Sequence, residues 1–272
     1  RLTNTSDGHG DTMQPEQESS ERTARPVRLV VGANRGIGLA LVAAQIAEPD
    51  VETLIATHRP GADLAALRAL DGRHPGRLQL QELDVNCSGA LTRLADRLSG
   101  LENGVDLAIH AAGILHEDGI QPEKSLAACK PEHLMRLFEV NSIGPLMVAR
   151  ALMPAQPRKK RFVFAALSAM VGSIGDNRLG GWYGYRASKA ALNQFLRTLA
   201  NECRLSHPEA AVAALHPGTT DTSLSRPFSR NVAPDRLYTA EQTADRLLQV
   251  IGQLEPAESG RFFNWNGAEI PW

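Results

Sequence analysis

From Val27 onward, short apolar runs alternate with amphipathic stretches. The runs VRLVVGA, ETLIATH, RLQLQELDV, DLAIHAAG, RFVFAAL, AAVAALH and GRFFNW are rich in β-branched and aliphatic residues and predict strands. Between them, IGLALVAAQIAE, ADLAALRALDG, SGALTRLADRLSG, PEHLMRLFEVNSIGPLMVARAL, YRASKAALNQFLRTLANECRL and AEQTADRLLQVIGQL space their apolar positions as helices do. Such alternation implies right-handed βαβ crossovers. The predicted fold class is α/β: a Rossmann-type doubly wound parallel sheet of about seven strands with helices on both faces. No internal repeat interrupts the pattern, and 27–272 reads as a single domain.

The first 26 residues break the pattern: they are polar, carry Gly, Ser, Glu and Pro, and have no periodic apolar positions, so 1–26 is expected to be a disordered tail. Charge narrows the partners. The net charge is −1 and the basic residues are scattered, which argues against nucleic acid. No stretch reaches the roughly 18 apolar residues of a membrane span, and no apolar signal core is visible. Cys87, Cys129 and Cys203 are isolated and odd in number, which suggests reduced thiols and a cytoplasmic protein. The eight histidines lack helical metal-ligand spacing, so no metal site is expected.

The first strand runs directly into GANRGIG, where Gly32, Gly36 and Gly38 form a turn that opens a helix. Missing side chains there let backbone N–H groups and the helix N-terminus approach a pyrophosphate. The end of the second strand should report on the adenosine ribose. It reads IATHRP, with His58 and Arg59 and no carboxylate, while Arg35 sits inside the glycine turn. Two guanidiniums without an acid favour a 2′-phosphate, hence NADP(H).

In WYGYRASKAALNQF, Tyr185 and Lys189 are one helical turn apart and share a face, whereas Tyr183 precedes the helix or points elsewhere. A phenol is a sluggish acid at neutral pH, and a nearby ammonium favours its ionised form. With GANRGIG, Asp84-Val85, HAAG at 110–113, Asn141 in EVNSIG, YRASK and HPGTTDT at 216–222 in this order, the chain from Val27 to Trp272 resembles the short-chain dehydrogenase/reductase family. VGSIGDN, GGWYGYRASKAALN and GRFFNWNG are similar to its C-factor and sniffer-like carbonyl reductase branch.

The resemblance implies that Tyr185 is the catalytic acid, and that Lys189 binds the nicotinamide ribose and lowers the tyrosine pKa. It implies that Asn141 supports a relay water through a helix distortion and that Asp84 contacts adenine. Gly32, Asn34, Arg35, Gly36, Ile37, Gly38, Arg59, Val85, Ala111, Ala112, Gly113, Pro217, Gly218, Thr220 and Thr222 complete the expected cofactor site.

Two departures stand out. HAAG replaces an asparagine-rich turn, with His110 as a possible substitute for one amide. The serine that hydrogen-bonds the substrate carbonyl in the family corresponds by spacing to Ala169, three residues before Gly172. Ser168 on a regular strand faces the other way. Three outcomes stay open: a bulge presents Ser168, which is the preferred reading; Ser173 substitutes; or catalysis is impaired.

The segment after HPGTTDT has no clear helical period, and 219–238 is expected to form a substrate lid with Leu224, Phe228 and Tyr238 lining an apolar pocket. Arg226 and Arg230 are candidates for an anionic substrate group. The apolar surface of 131–152 suggests a homodimer or homotetramer. The expected function is hydride transfer between NADP(H) and a small or medium carbonyl or alcohol, with an NADP(H)-binding regulatory protein as the alternative.

Overall fold

The computed structural model describes residues 25–230 and 232–272. The tail expected over 1–26 lies outside them, apart from its last two residues. Seven strands form one parallel sheet: β1 (Val27–Val31), β2 (Thr53–His58), β3 (Leu78–Glu82), β4 (Leu107–His110), β5 (Phe162–Leu167), β6 (Ala210–His216) and, after a small two-stranded element, β9 (Arg261–Asn264). Their spatial order is β3-β2-β1-β4-β5-β6-β9. The chain starts at β1, winds outward one way to β3, then returns past β1 to build the other half. The reversal between β1 and β4 opens a crevice at the carboxyl ends of the strands, where such sheets bind ligands.

Strand alternation explains the two-layered core. Leu29, Val31, Phe162, Phe164, Ala166, Val212 and Ala214 face α3 (Ser88–Ser99), α5 (Gly144–Leu152) and α6 (Tyr183–Ser206). Val30, Leu54, Val163, Ala165, Ala211 and Ala213 face the opposite layer, α1 (Gly36–Ile46), α2 (Ala65–Arg73) and α7 (Ala240–Gln253). Strand β5 is buried along its whole length, as expected of a central parallel strand covered on both faces.

The helix expected over 131–152 is bent rather than uniform. It consists of α4 (Pro131–Phe138), a π turn at Glu139–Ile143, and α5. Pro145 supplies the reason: it has no N–H to donate to the carbonyl one turn back, at Asn141. The Gly144 N–H instead reaches the carbonyl of Glu139, five residues back. Helix α6 starts two residues earlier than its periodicity predicted. The segment after β6 contains β7 (Thr219–Thr220) and β8 (Leu237–Tyr238), which pair in parallel and tie both ends of the intervening stretch together. Among the described residues no helix is long and apolar enough to cross a membrane.

Candidate active site

The β1–α1 turn and the segment after β4 meet at the floor of the crevice. Gly32 has φ of 81°, and a Cβ there would lie 2.7 Å from the Ala112 nitrogen. Gly38 is tighter still: its Cβ would fall 2.1 Å from the Gly32 carbonyl oxygen. Only glycine lets these backbones touch. Arg35, at the N-cap of α1, makes no side-chain cap, and the first turn contains no acid. The leading N–H groups of α1 are therefore left for an outside acceptor, at the positive end of the helix dipole.

The cleft above this floor has a volume of about 390 Å³. Gly32, Asn34, Arg35, Gly36, Ile37, Gly38, Arg59, Asp84, Val85, Ala111, Ala112, Gly113, Ser168, Tyr185, Lys189, Pro217 and Thr222 all line it, together with His58. Arg35 and Arg59 are exposed, and neither pairs with a carboxylate among the described residues. Asp84 is the one carboxylate in the lining, and its Oδ1 accepts from the Asn86 N–H at 3.0 Å. The donor set at this end suits a dinucleotide carrying an extra phosphate on its adenosine ribose.

Two of the expected cofactor residues lie off the lining. Gly218 packs beneath the Trp265 and Tyr238 rings, and Thr220 Oγ1 is 2.8 Å from Thr243 Oγ1 on α7. Tyr238, expected in the substrate pocket, instead lies 5.1 Å from Trp265 between ring centroids, with the Arg246 guanidinium over both. Arg226 pairs with Asp221 at 3.3 Å. Sequence reasoning missed Arg136 and Val140 on the cleft wall, which non-local packing brings there, and Ile114, which continues the lining from Gly113.

At the inner end, α6 presents Tyr185 and Lys189 on one face, with Lys189 Nζ 5.8 Å from the phenol ring centroid. Lys189 Nζ donates to the Leu167 carbonyl at 2.8 Å. Burial pushes the ammonium down to about 8. Burial also raises the Tyr185 phenol above its ordinary value. Placing a phenolate among apolar groups costs more than placing it in water. Tyr183 points away and is 44% exposed.

Asn141, at 0% exposure in the π turn, is a brace. Its amide donates to the Ile114 carbonyl and accepts from the Ile114 N–H, each at 2.8 Å, and also donates to Ser188 Oγ at 3.1 Å. These bonds fix the post-β4 segment to α6. The backbone carbonyl of Asn141 lacks its ordinary α-helical donor because of Pro145.

The bulge preferred for presenting Ser168 is absent. The β5–β6 register runs unbroken from Phe162↔Ala210 to Leu167↔Leu215. Ser168 borders the cleft, but its hydroxyl donates to Asn193 Oδ1 at 2.6 Å. Ser173 is buried, and its Oγ accepts from the Asp176 N–H at 3.2 Å. Ala169 packs against the apolar cluster that contains Tyr185, Ile114 and Leu137, as do Trp182, Leu224 and Phe228. His110 replaces no amide bond through its Nε2, which is buried without a partner. Burial, then the Lys189 charge, push His110 down to about 3.

A doubly wound sheet with a glycine turn at its switch point and a buried tyrosine–lysine pair is the architecture of an oxidoreductase. The sequence profile described as short chain dehydrogenase matches residues 26–233, and the chain belongs to that family. It is 32% identical over 244 residues to 1-hydroxy-2-glutathionyl-2-methyl-3-butene dehydrogenase of Rhodococcus sp. (strain AD45), covering 90% of this chain and 98% of that one. It is 37% identical over 140 residues to the C-signal protein of Myxococcus xanthus, covering 51% and 78%.

Among solved structures it is similar to the carbonyl reductase Sniffer of D. melanogaster, with a TM-score of 0.78, 26% identity, and coverage of 91% of this chain and 99% of that one. The NADPH-bound carbonyl reductase from chicken fatty liver has a TM-score of 0.78 at 28% identity, covering 91% and 94%. The C-factor and sniffer-like branch is thus the chain's neighbourhood within the family.

Proposed function

We propose that the protein is an NADP(H)-dependent carbonyl reductase acting reversibly on a small or medium ketone, aldehyde or the corresponding alcohol. The observation that carries this reading is one continuous cleft with two unpaired guanidiniums, Arg35 and Arg59, at its outer end and the buried Tyr185–Lys189 pair at its inner end. The neighbouring chicken enzyme, which carries NADPH, supports it.

The first turn of α1 would hold the pyrophosphate, Arg35 and Arg59 the 2′-phosphate, and Asp84 would meet the adenine. Lys189 and Thr222 would hold the nicotinamide end. When bound, the dinucleotide supplies the hydride that reduces a carbonyl carbon. Tyr185 donates its phenolic proton to the carbonyl oxygen as charge develops there. The proton is replaced by way of Lys189 and a water held by the Asn141 carbonyl.

A second reading, a dinucleotide-binding regulator with little turnover, draws on Ala169, because the nearby hydroxyls of Ser168 and Ser173 are engaged with Asn193 and the Asp176 N–H. Paired fluorescence titrations with NADPH and NADH, followed by single-turnover oxidation of NADPH with a carbonyl panel, separate the two. The reductase reading expects NADPH to bind at least tenfold more tightly than NADH, and Tyr185→Phe to lose at least 10²-fold in rate with NADPH binding retained. Tight binding without turnover across the panel would leave the regulator.

A further inference from the structure

Trp182 is the one non-glycine residue with positive φ among the described residues, at φ 52° and ψ 43°. For a residue with a Cβ, this left-handed conformation is strained and persists only where the surroundings over-determine it. The surroundings here are a buried carboxylate from a distant segment. Glu123 is 2% exposed; its backbone carbonyl accepts from the Trp182 N–H at 2.6 Å, and its Oε2 accepts from the Gly184 N–H at 3.1 Å.

Helix α6 has no side-chain cap of its own and no acid in its first turn. Glu123 supplies both the acceptor and the negative charge that a helix N-terminus favours. Gly184 leaves the room: a Cβ there would lie 2.9 Å from Glu123 Oε1 and 2.7 Å from Leu137 Cδ1. Arg186 completes the clamp from the helix side, bonding the carbonyls of Gly181 and Gly180 at 2.9 and 3.1 Å.

The consequence falls beside the reacting end of the cleft, behind Tyr185 and Leu224 of its lining. Held this way, the Trp182 indole stands edge-to-face with the Tyr185 ring at 6.2 Å, and with Phe228 of the β7–β8 segment at 5.2 Å. Phe228 in turn meets His116 at 5.7 Å, and His116 Nε2 is 3.2 Å from the Leu224 carbonyl oxygen. The phenol, the indole and the overlying segment form one aromatic corner, with Ala169 as its small wall. Offset and edge-to-face contacts to flat rings are favoured in such a corner.

Building on the reductase reading, we propose that Glu123 is a positioning residue for Tyr185, acting through the α6 N-terminus, and that Trp182 is the specificity-determining wall selecting carbonyls with an aryl substituent. Glu123 touches neither substrate nor reacting atoms. It sets where the phenol and the indole stand.

The test uses benzaldehyde and heptanal, which have equal numbers of carbons, with NADPH and the full chain. Trp182→Gly removes the ring from a position whose backbone glycine adopts without strain. It is expected to lower kcat/KM for benzaldehyde about tenfold more than for heptanal, chiefly through KM. Glu123→Ala is expected to lower kcat for both aldehydes about tenfold, with NADPH affinity retained, and Glu123→Gln, which keeps an acceptor for Gly184, to recover most of it. Adding benzaldehyde to the protein without NADPH should quench the emission that wild type shows in excess of Trp182→Gly.

Equal losses for both aldehydes in Trp182→Gly would overturn the specificity role. A lower melting temperature in Glu123→Ala with kcat and KM unchanged would reduce Glu123 to a structural cap. If wild type bound NADPH yet reduced neither aldehyde, the reductase reading would fall first and this inference with it.

Discussion

At the residue scale, the chemistry depends on which hydroxyl stands where. Tyr185 has Lys189 one turn away, but the neighbouring wall position is Ala169, and the hydroxyls of Ser168 and Ser173 are engaged with Asn193 and the Asp176 N–H. A carbonyl oxygen in this corner would have the phenol as its donor, and a second donor to a developing oxyanion is worth on the order of 10²–10³ in rate. Ala169→Ser is therefore expected to raise kcat for an unactivated ketone by about tenfold or more while leaving NADPH affinity unchanged, as measured by steady-state oxidation of NADPH. No gain, in a variant that melts like wild type, would mean that another group already supports the oxygen. The departure at Ala169 was legible from its distance to Gly172. The engagement of Ser168 was not, because Asn193 lies 25 residues away in the chain and only the packing of α6 on β5 brings it close.

Elements carry the next level of function, and the bent helix from α4 to α5 is the clearest case. Its π turn places the Asn141 side chain as a brace between Ile114 and Ser188, while Pro145 withholds the donor that would otherwise occupy the Asn141 carbonyl. Pro145→Ala restores an N–H at that position. It is expected to favour the regular α-helical bond, to reduce turnover by about tenfold as the relay loses its acceptor, and to leave dinucleotide binding intact. Single-turnover kinetics beside an NADPH titration reads this directly, and unchanged turnover would remove the Asn141 carbonyl from the relay. The apolar periodicity of 131–152 predicted one helix, and periodicity alone does not distinguish a π turn from an α turn. The proline was the available signal.

For the whole molecule, buried titrating groups couple the fold to pH. Burial lowers His110 to about 3 and His216 to about 4, and the His216 ring accepts from the Met170 N–H as a neutral imidazole at 3.2 Å. Both values lie below the ordinary value of 6.5, so the unfolded chain takes up protons that the folded one refuses. Their stabilisation is fully present above pH 6.5 and is lost as pH falls toward 4 and 3. Urea unfolding at pH 7 and pH 5 should show the loss, with His110 contributing about 2 kcal/mol over that interval. His110→Asn should remove its share of the slope. An equal slope in that variant would show that His110 is not the group responsible.

Assembly belongs to the same scale: Met135 on α4 and Ile143 in the π turn are 59% and 43% exposed. The double variant Met135→Glu with Ile143→Glu is expected to sediment as a monomer if the homodimer or homotetramer forms through this helix.

What the sequence determined by itself is local or ordinal: alternating periods of two and 3.6, glycines at a strand-to-helix turn, and Tyr185 and Lys189 one turn apart. These need only the geometry of a single element, and they were sufficient for the parallel sheet, the helices on both its faces and the glycine turn between β1 and α1. The tertiary structure decided what depends on contacts between distant segments. Glu123 caps a helix that begins 60 residues later, Thr220 turns to Thr243 rather than to the cleft, and Tyr238 leaves the substrate pocket for Arg246 and Trp265. It also decided how deeply Tyr185 is buried, because desolvation is a property of everything that surrounds a group, whereas the spacing of two residues reports only on each other.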